Sequence, residues 1–144
     1  MSGMTEADPD LHAPIRSQQD LLDRWTTLMG ELGFSRRSLW FAVVDPDRRL
    51  VSPITQIADI PPSAEPDKVA ALLTMTGARL AEVGPDASIA FLLSRPGYGG
   101  MDAADRSWAR LLASTARYLR VPIETIHLAT DDTLTAFAPD DLAA

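Results

Sequence analysis

The residues in this sequence with chemistry to offer are Arg95, Tyr98, Asp102, Asp105 and His127, and the first four fall in one run, "LLSRPGYGGMDAADRSW" (92–108). An apolar stretch stops at Arg95 and Pro96, a Gly-Tyr-Gly-Gly turn follows, and a helix opens with Asp102 and Asp105 in its first turn. A guanidinium at the C-terminal end of a strand stands where α/β sheets gather their ligand loops, so Arg95 is a candidate anion-binding residue. An ion pair with Asp102 or Asp105 would account for it equally well, and on a surface such a pair contributes about 0–1 kcal/mol. Glycines before a helix let backbone N–H groups approach a phosphate. Neither G-x-x-x-x-G-K-[ST] nor G-x-G-x-x-G is present, however, and two aspartates already occupy the positive helix end. The favoured reading is a tight turn whose glycines permit the bend and whose aspartates cap the helix.

Tyr98 sits at the tip of that loop with little nearby to pack on, which makes it a candidate for ligand or partner contact. His127 alternates with Ile126 and Leu128 in a strand-like run; it is a candidate contact residue, or a structural histidine with its hydrogen bonds satisfied. The other histidine, His12, lies in the N-terminal segment, so the two do not make a metal site. Ser94 is the serine to consider as a nucleophile, and it lacks the G-x-S-x-G elbow. No catalytic residue, metal ligand or cofactor is assigned.

The elements that must position these residues follow from periodicity. Residues 1–16 are rich in Asp, Pro and small side chains and are expected to form a loose arm, with the fold beginning at Ser17. Ser17 with Asp20 resembles a capping box, Leu21, Leu22, Trp25, Leu28, Met29 and Leu32 share a helical face, and Gly33 suits a C-terminal cap. "SLWFAVVD" (38–45) reads as a strand covered on both faces, "DPDR" as a turn, and "RLVSPITQI" (49–57) as the hairpin partner. Pro53 cannot donate to a ladder, which makes that partner an edge strand, bulged or interrupted. A proline-rich loop (58–67) leads to a helix from about Lys68 to Ala81. "SIAFLLS" (88–94) is a second central strand, and Asp102 opens a helix with Trp108, Leu111, Leu112, Thr115 and Leu119 on one face. "VPIETIHLAT" (121–130) and "TLTAF" (133–137) read as two final strands, and the tail "APDDLAA" as a fraying end. The expected fold is a single α/β (α+β) domain over 17–144, with a mixed sheet of about five strands flanked by three helices. Its order is α-β-β-α-β-α-β-β, and the 88–130 unit forms a right-handed parallel crossover.

Composition narrows the function classes. A chain of 144 residues fits one domain able to bury about two thirds of its unfolded surface. The absence of cysteine excludes disulfides, thiolate metal sites and cysteine nucleophiles. No apolar run approaches the roughly 20 residues of a membrane span, and the acidic N-terminus has no signal-peptide core, so a cytoplasmic location is expected. A net charge of −7 argues against a partner recognised through its phosphates. Only a local cluster such as Arg36, Arg37, Arg48 and Arg49 would rescue nucleic-acid binding. Twelve arginines stand against one lysine, Lys68, a bias read as high-GC coding.

As a block, residues 38–137 resemble the JAB/MPN metalloprotease-like superfamily, in particular its RadC-like bacterial branch. "SLWFAVVDPDRRLV" is similar to that family's opening hairpin, and a helix and a strand running into a loop follow in the family's order. The family's loop reads His-x-His-Pro, a glycine turn, then Ser-x-x-Asp at a helix start. Here "LSRP" (93–96), "GYGGM" (97–101) and "DAAD" (102–105) correspond. Asp105 falls where the family's metal-binding aspartate would sit and Pro96 where its proline would. Leu93 and Arg95 replace both histidines, Asp102 replaces the serine, the loop is about one residue shorter, and the opening strand offers no glutamate as general base. A zinc site of this type needs imidazoles and a carboxylate converging on the ion with a position open for water. The resemblance therefore implies a metal-free, non-catalytic relative that binds a protein partner or self-associates. The competing expectation is a small-molecule or anion-binding protein or enzyme using loop 94–105, with a pocket around Arg95, Tyr98, Asp102 and His127.

Overall fold

The computed structural model describes residues 13–142. Two apolar runs form its centre. β1 (Ser38–Val44) and β3 (Ser88–Ser94) pair antiparallel from Ser38 against Ser94 to Val44 against Ser88, and β3 is buried along its whole length. Such burial demands cover on both faces, and the strand period of two divides it cleanly. Leu39, Phe41, Val43, Ile89, Phe91 and Leu93 point to one side, against Val69, Leu73 and Leu80 of α2 (Pro66–Val83) and Trp108, Leu112 and Ala116 of α3 (Ala103–Leu119). Ala42, Val44, Ala90 and Leu92 point to the other, against Leu21 and Trp25 of α1 (Gln18–Met29). The Phe41 and Phe91 rings meet at 6.0 Å with a 50° tilt, a tilted contact of the kind aromatic quadrupoles favour. Gly77, inside α2, marks a close approach: a Cβ there would come within 3.0 Å of Val121 Cγ2.

β2 (Leu50–Ala58) completes the hairpin with β1, β4 (His127–Ala129) runs parallel to β3, and β5 (Leu134–Ala136) returns antiparallel to β4. The mixed sheet has the order β2-β1-β3-β4-β5, as the α/β reading of the sequence expects. β2 is an edge strand, and its register with β1 slips between the Phe41–Thr55 and Val43–Val51 pairs. Residues 52–54 stand opposite Ala42 alone, an excess of two, and they include Pro53, the residue that cannot complete a ladder.

Four boundaries differ from the sequence reading, each for a local reason. The chain joins the fold before Ser17: Ile15 is fully buried, its N–H donates to the Arg48 carbonyl, and Arg24 Nη2 donates to the Ala13 carbonyl at 2.8 Å. A single buried isoleucine in a polar run produces no periodicity. His12 lies outside the described residues. α1 ends at Gly30, whose positive φ of 64° favours glycine and whose N–H donates to the Thr26 carbonyl, so Gly33 lies one turn too late to be the cap.

Residues 121–126 do not form a strand. Pro122 has no N–H, and the backbone of this segment pairs with β3 at the isolated Ile89–Ile123 bridge, where Ile89 N–H donates to the Pro122 carbonyl and Glu124 N–H to the Ile89 carbonyl. Finally, the tail forms a short helix, α4 (Pro139–Leu142). Arg106 and Arg110 of α3 hold it through the Asp141 carboxylate and carbonyl, at 3.5 and 3.0 Å.

Candidate functional site

Arg95 extends β3 by one residue, its N–H donating to the Ala129 carbonyl at 3.1 Å. Alternation turns its side chain to the face that α3 covers, the face also taken by Leu93. Asp102 is the N-cap of α3 and Asp105 its N3 residue, and they form a reciprocal capping box. Asp105 N–H donates to Asp102 Oδ1 at 2.8 Å and Asp102 N–H to Asp105 Oδ2 at 2.9 Å. The strand end and the helix start are thereby brought face to face.

Between them the two side chains lock. Arg95 Nε donates to Asp105 Oδ1 at 2.8 Å and Nη2 lies 2.8 Å from Oδ2, while Arg95 is 7% exposed and Asp105 0%. The remaining reach of the guanidinium is turned on the loop's own backbone: Nη1 donates to the Pro96 carbonyl at 3.0 Å and Nη2 to the Gly100 carbonyl at 2.6 Å. Arg37, just before β1, adds a second guanidinium, Nη1 donating to Asp105 Oδ1 at 2.9 Å. Burial alone would raise the Asp105 pKa. The hydrogen bonds from Arg95, the Asp102 amide and Arg37 outweigh it and hold the carboxyl below its ordinary value. The bond to Asp105 likewise keeps Arg95 charged.

Asp131, in the β4–β5 turn, staples the loop from the other side. Its Oδ2 accepts the Gly97 N–H at 2.7 Å and its Oδ1 the Phe34 N–H at 2.9 Å, and its own N–H donates to the Gly97 carbonyl at 3.0 Å. The two accepted N–H bonds, Gly97 first, lower its pKa. Gly97 is required here. Its φ is 106°, and a Cβ would stand 3.0 Å from Arg95 Nη1.

Of the five residues singled out in the sequence, the structure brings Arg95, Asp102 and Asp105 together. Tyr98 stands out from the loop, 73% exposed. His127 is not part of this cluster, which corrects the idea of one pocket around Arg95, Tyr98, Asp102 and His127. Its Cα partner is Leu92, so it belongs to the α1 face of the sheet, opposite Arg95. It is fully buried there, its Nδ1 lies 3.1 Å from the Thr125 carbonyl, and desolvation pushes its pKa down. Its Nε2 has no hydrogen-bond partner among the described residues. Ser94 is buried as well and accepts a bond from Trp40 Nε1 at 2.9 Å, so it presents no nucleophile.

The four arginines considered as a nucleic-acid patch are divided. Arg36 pairs with Asp59 and Arg37 with Asp105 at one end of β1, while Arg48 and Arg49 lie in the hairpin turn at the other. Arg48, at φ 67°, makes a two-pronged bond to Glu124, 2.8 Å at each oxygen, and Glu124 also accepts a short bond from Ser88 Oγ. The bond from Arg48 is the main reason the Glu124 pKa is lowered. Sequence reasoning missed this cluster and the Arg37 and Asp131 contacts. Their partners lie 76, 68 and 34 residues away, and no spacing rule reaches so far.

Among the described residues, no group of three or more His, Cys, Asp or Glu side chains is arranged to hold a metal ion. Leu93 and Arg95 bring no imidazole to Asp105, so the residues present here do not fit zinc. An anion would have to compete with Asp105 for Arg95. No helix among the described residues is long and apolar enough to cross a membrane. No family model matches the chain, and no curated protein matches it.

Proposed function

We propose that the chain is a metal-free, non-catalytic relative of the RadC/JAB-like domains, acting in the cytoplasm by binding a protein partner or by self-association. The observation that carries this reading is the Arg95–Asp105 lock. Residues 93 and 95 point to one side of the sheet, and Asp105 reaches Arg95 from the start of α3. This is the spatial relation that a two-histidine, one-aspartate site would need. In this chain the carboxylate is neutralised by a guanidinium where a metal would otherwise do so.

Binding is the role such a frame retains. The loop 96–101 is held by Arg95 from inside and Asp131 from outside, so Tyr98 is presented on a fixed support at little entropic cost on association. The protein is expected to purify without bound metal from zinc-supplemented culture and to keep its thermal midpoint in chelator. Stoichiometric zinc, lost together with a hydrolytic activity on Asp105→Ala, would overturn the reading.

A further inference from the structure

β2 is nine residues long, "LVSPITQIA", and carries no charged side chain, in a chain that is 23% charged with a net charge of −7. It is an outer strand of the sheet, so every second N–H and C=O along it faces outward. Edge strands are ordinarily protected by charge, proline or a bulge. The bulge and Pro53 interrupt residues 52–54, whereas Thr55, Gln56, Ile57 and Ala58 are exposed and regularly paired to β1, and among the described residues no strand pairs with their outer side. The opposite edge, β5, is three residues long.

The surface beside this edge is mixed: apolar side chains dominate it, Arg79 stands beside Met75, and Glu65 and Lys68, paired at 2.9 Å, stand beside Ile57. Ile57 and Met75 are two of the four exposed large hydrophobic side chains among the described residues. A cavity of about 180 Å³ opens beside Thr55 and Met75, reaching Phe41 and Val51. A second, of about 220 Å³, opens beside Ile57, lined by Leu39, Leu72 and Trp108.

We infer that residues 55–57 of β2 form the two-fold interface of a homodimer, pairing antiparallel with the same residues of a second copy to give a continuous ten-stranded sheet. This deepens the self-association part of the proposed function and rests on that reading, though it uses a different surface from Tyr98. The charge pattern selects the occupant. In a two-fold contact the residue on the axis faces its own image and the residues beside it lie diagonally across from theirs, so a charge here would stand close to a like charge. The strand has none, and at its end Asp59 is already neutralised by Arg36 at 2.8 Å. A register centred on Gln56 sets Ile57 of each copy opposite Thr55 of the other, at the mouth of the cavity beside Met75. The interface is small, at the low end of the sizes that support specific complexes, so a dissociation constant on the order of 10 µM is expected.

Sedimentation equilibrium of the full chain tests this. The mass is expected to rise with concentration from 15.6 kDa to twice that value. Thr55→Lys and Ile57→Lys are expected to weaken association by about 100-fold or more, because they place like charges across the seam, and Tyr98→Ala is expected to leave it unchanged. Amide hydrogen exchange on the unsubstituted chain serves if either lysine variant fails to fold, with protection at 55–58 rising as the protein is concentrated. A monomer at every concentration up to about 1 mM, or a dimer indifferent to both lysines with no concentration-dependent protection at 55–58, would overturn the inference. Neither result bears on the metal-free reading, which zinc content decides separately.

Discussion

Arg95 and Asp105 stand ten residues apart in sequence and meet as a buried fork, Nε to Oδ1 and Nη2 to Oδ2 each at 2.8 Å. The pair joins the end of β3 to the first turn of α3, and through Pro96 and Gly100 it also sets the path of the loop between them. Taking two charges out of water is costly, and the cost is offset here by the number of bonds on each partner. Asp105 accepts from two guanidiniums and one amide, and Arg95 donates to a carboxylate and two carbonyls. A guanidinium so fully engaged is a structural element, with little left to offer a ligand.

Acid is expected to destabilise the fold in two stages. His127 is buried with its pKa lowered, so the unfolded chain binds a proton there that the folded chain resists. Stability is lost as pH falls below the unfolded value of about 6.5. Asp105, Glu124 and Asp131 have lowered pKa values in the fold. Their stabilisation is complete above the unfolded values near 4 and is lost as pH falls through the folded ones. Urea midpoints from pH 8 to pH 3 check this, and His127→Gln should flatten the upper stage while leaving the lower. A midpoint constant between pH 7 and 5 in the unsubstituted protein would contradict the role given to His127.

The Arg48–Glu124 pair is expected to matter less than Arg95–Asp105, because it is partly open to solvent, with side-chain exposures of 37% and 18%. Arg48 nevertheless ties three segments: the hairpin turn, the Ile15 carbonyl at 3.0 Å, and the β3–β4 connection. Arg48→Ala is expected to cost about 1–2 kcal/mol in chemical denaturation. Arg48→Lys should recover little of it, since an ammonium cannot make the two-pronged bond.

Neighbouring loop positions should respond in opposite ways. Tyr98→Ala is expected to change stability by less than about 0.5 kcal/mol, as an exposed side chain outside the packed core. Gly97→Ala, one residue away, is expected to cost about 1–3 kcal/mol, because it forces a side chain into a φ of 106° against Arg95. Thermal denaturation of the two variants side by side checks the contrast.

Much of the fold was legible in the sequence because it depends on local pattern. The continuous apolar runs of β1 and β3, the 3.6-residue periods of the helices, the Asp102 cap and the effect of Pro53 on β2 are all properties of short windows. The bend at 121–126 was hidden because "VPIETIHLAT" has the composition of a strand, while Pro122 and the tertiary demand of Arg48 on Glu124 decide its path. At the site, Arg95 and the two aspartates could be picked out as partners by proximity along the chain. His127 could not be placed, since one residue of register decides which face of a sheet it joins. Arg37 and Asp131 carry no local signal at all, and only the fold brings them to Asp105 and Gly97.

The most direct test of the claim that Arg95 is committed to Asp105 is a double-mutant cycle. Unfolding free energies are measured for the parent chain, Arg95→Ala, Asp105→Ala and the double substitution. Asp105→Ala strands the Arg95 charge and is expected to cost about 3–5 kcal/mol. Arg95→Ala leaves Asp105 with Arg37 and the Asp102 amide and is expected to cost about 2–4 kcal/mol, with a coupling energy of about 2–3 kcal/mol in the cycle. Additive single effects, with coupling below about 0.5 kcal/mol, would contradict the lock and return Arg95 to the role of a free anion-binding side chain.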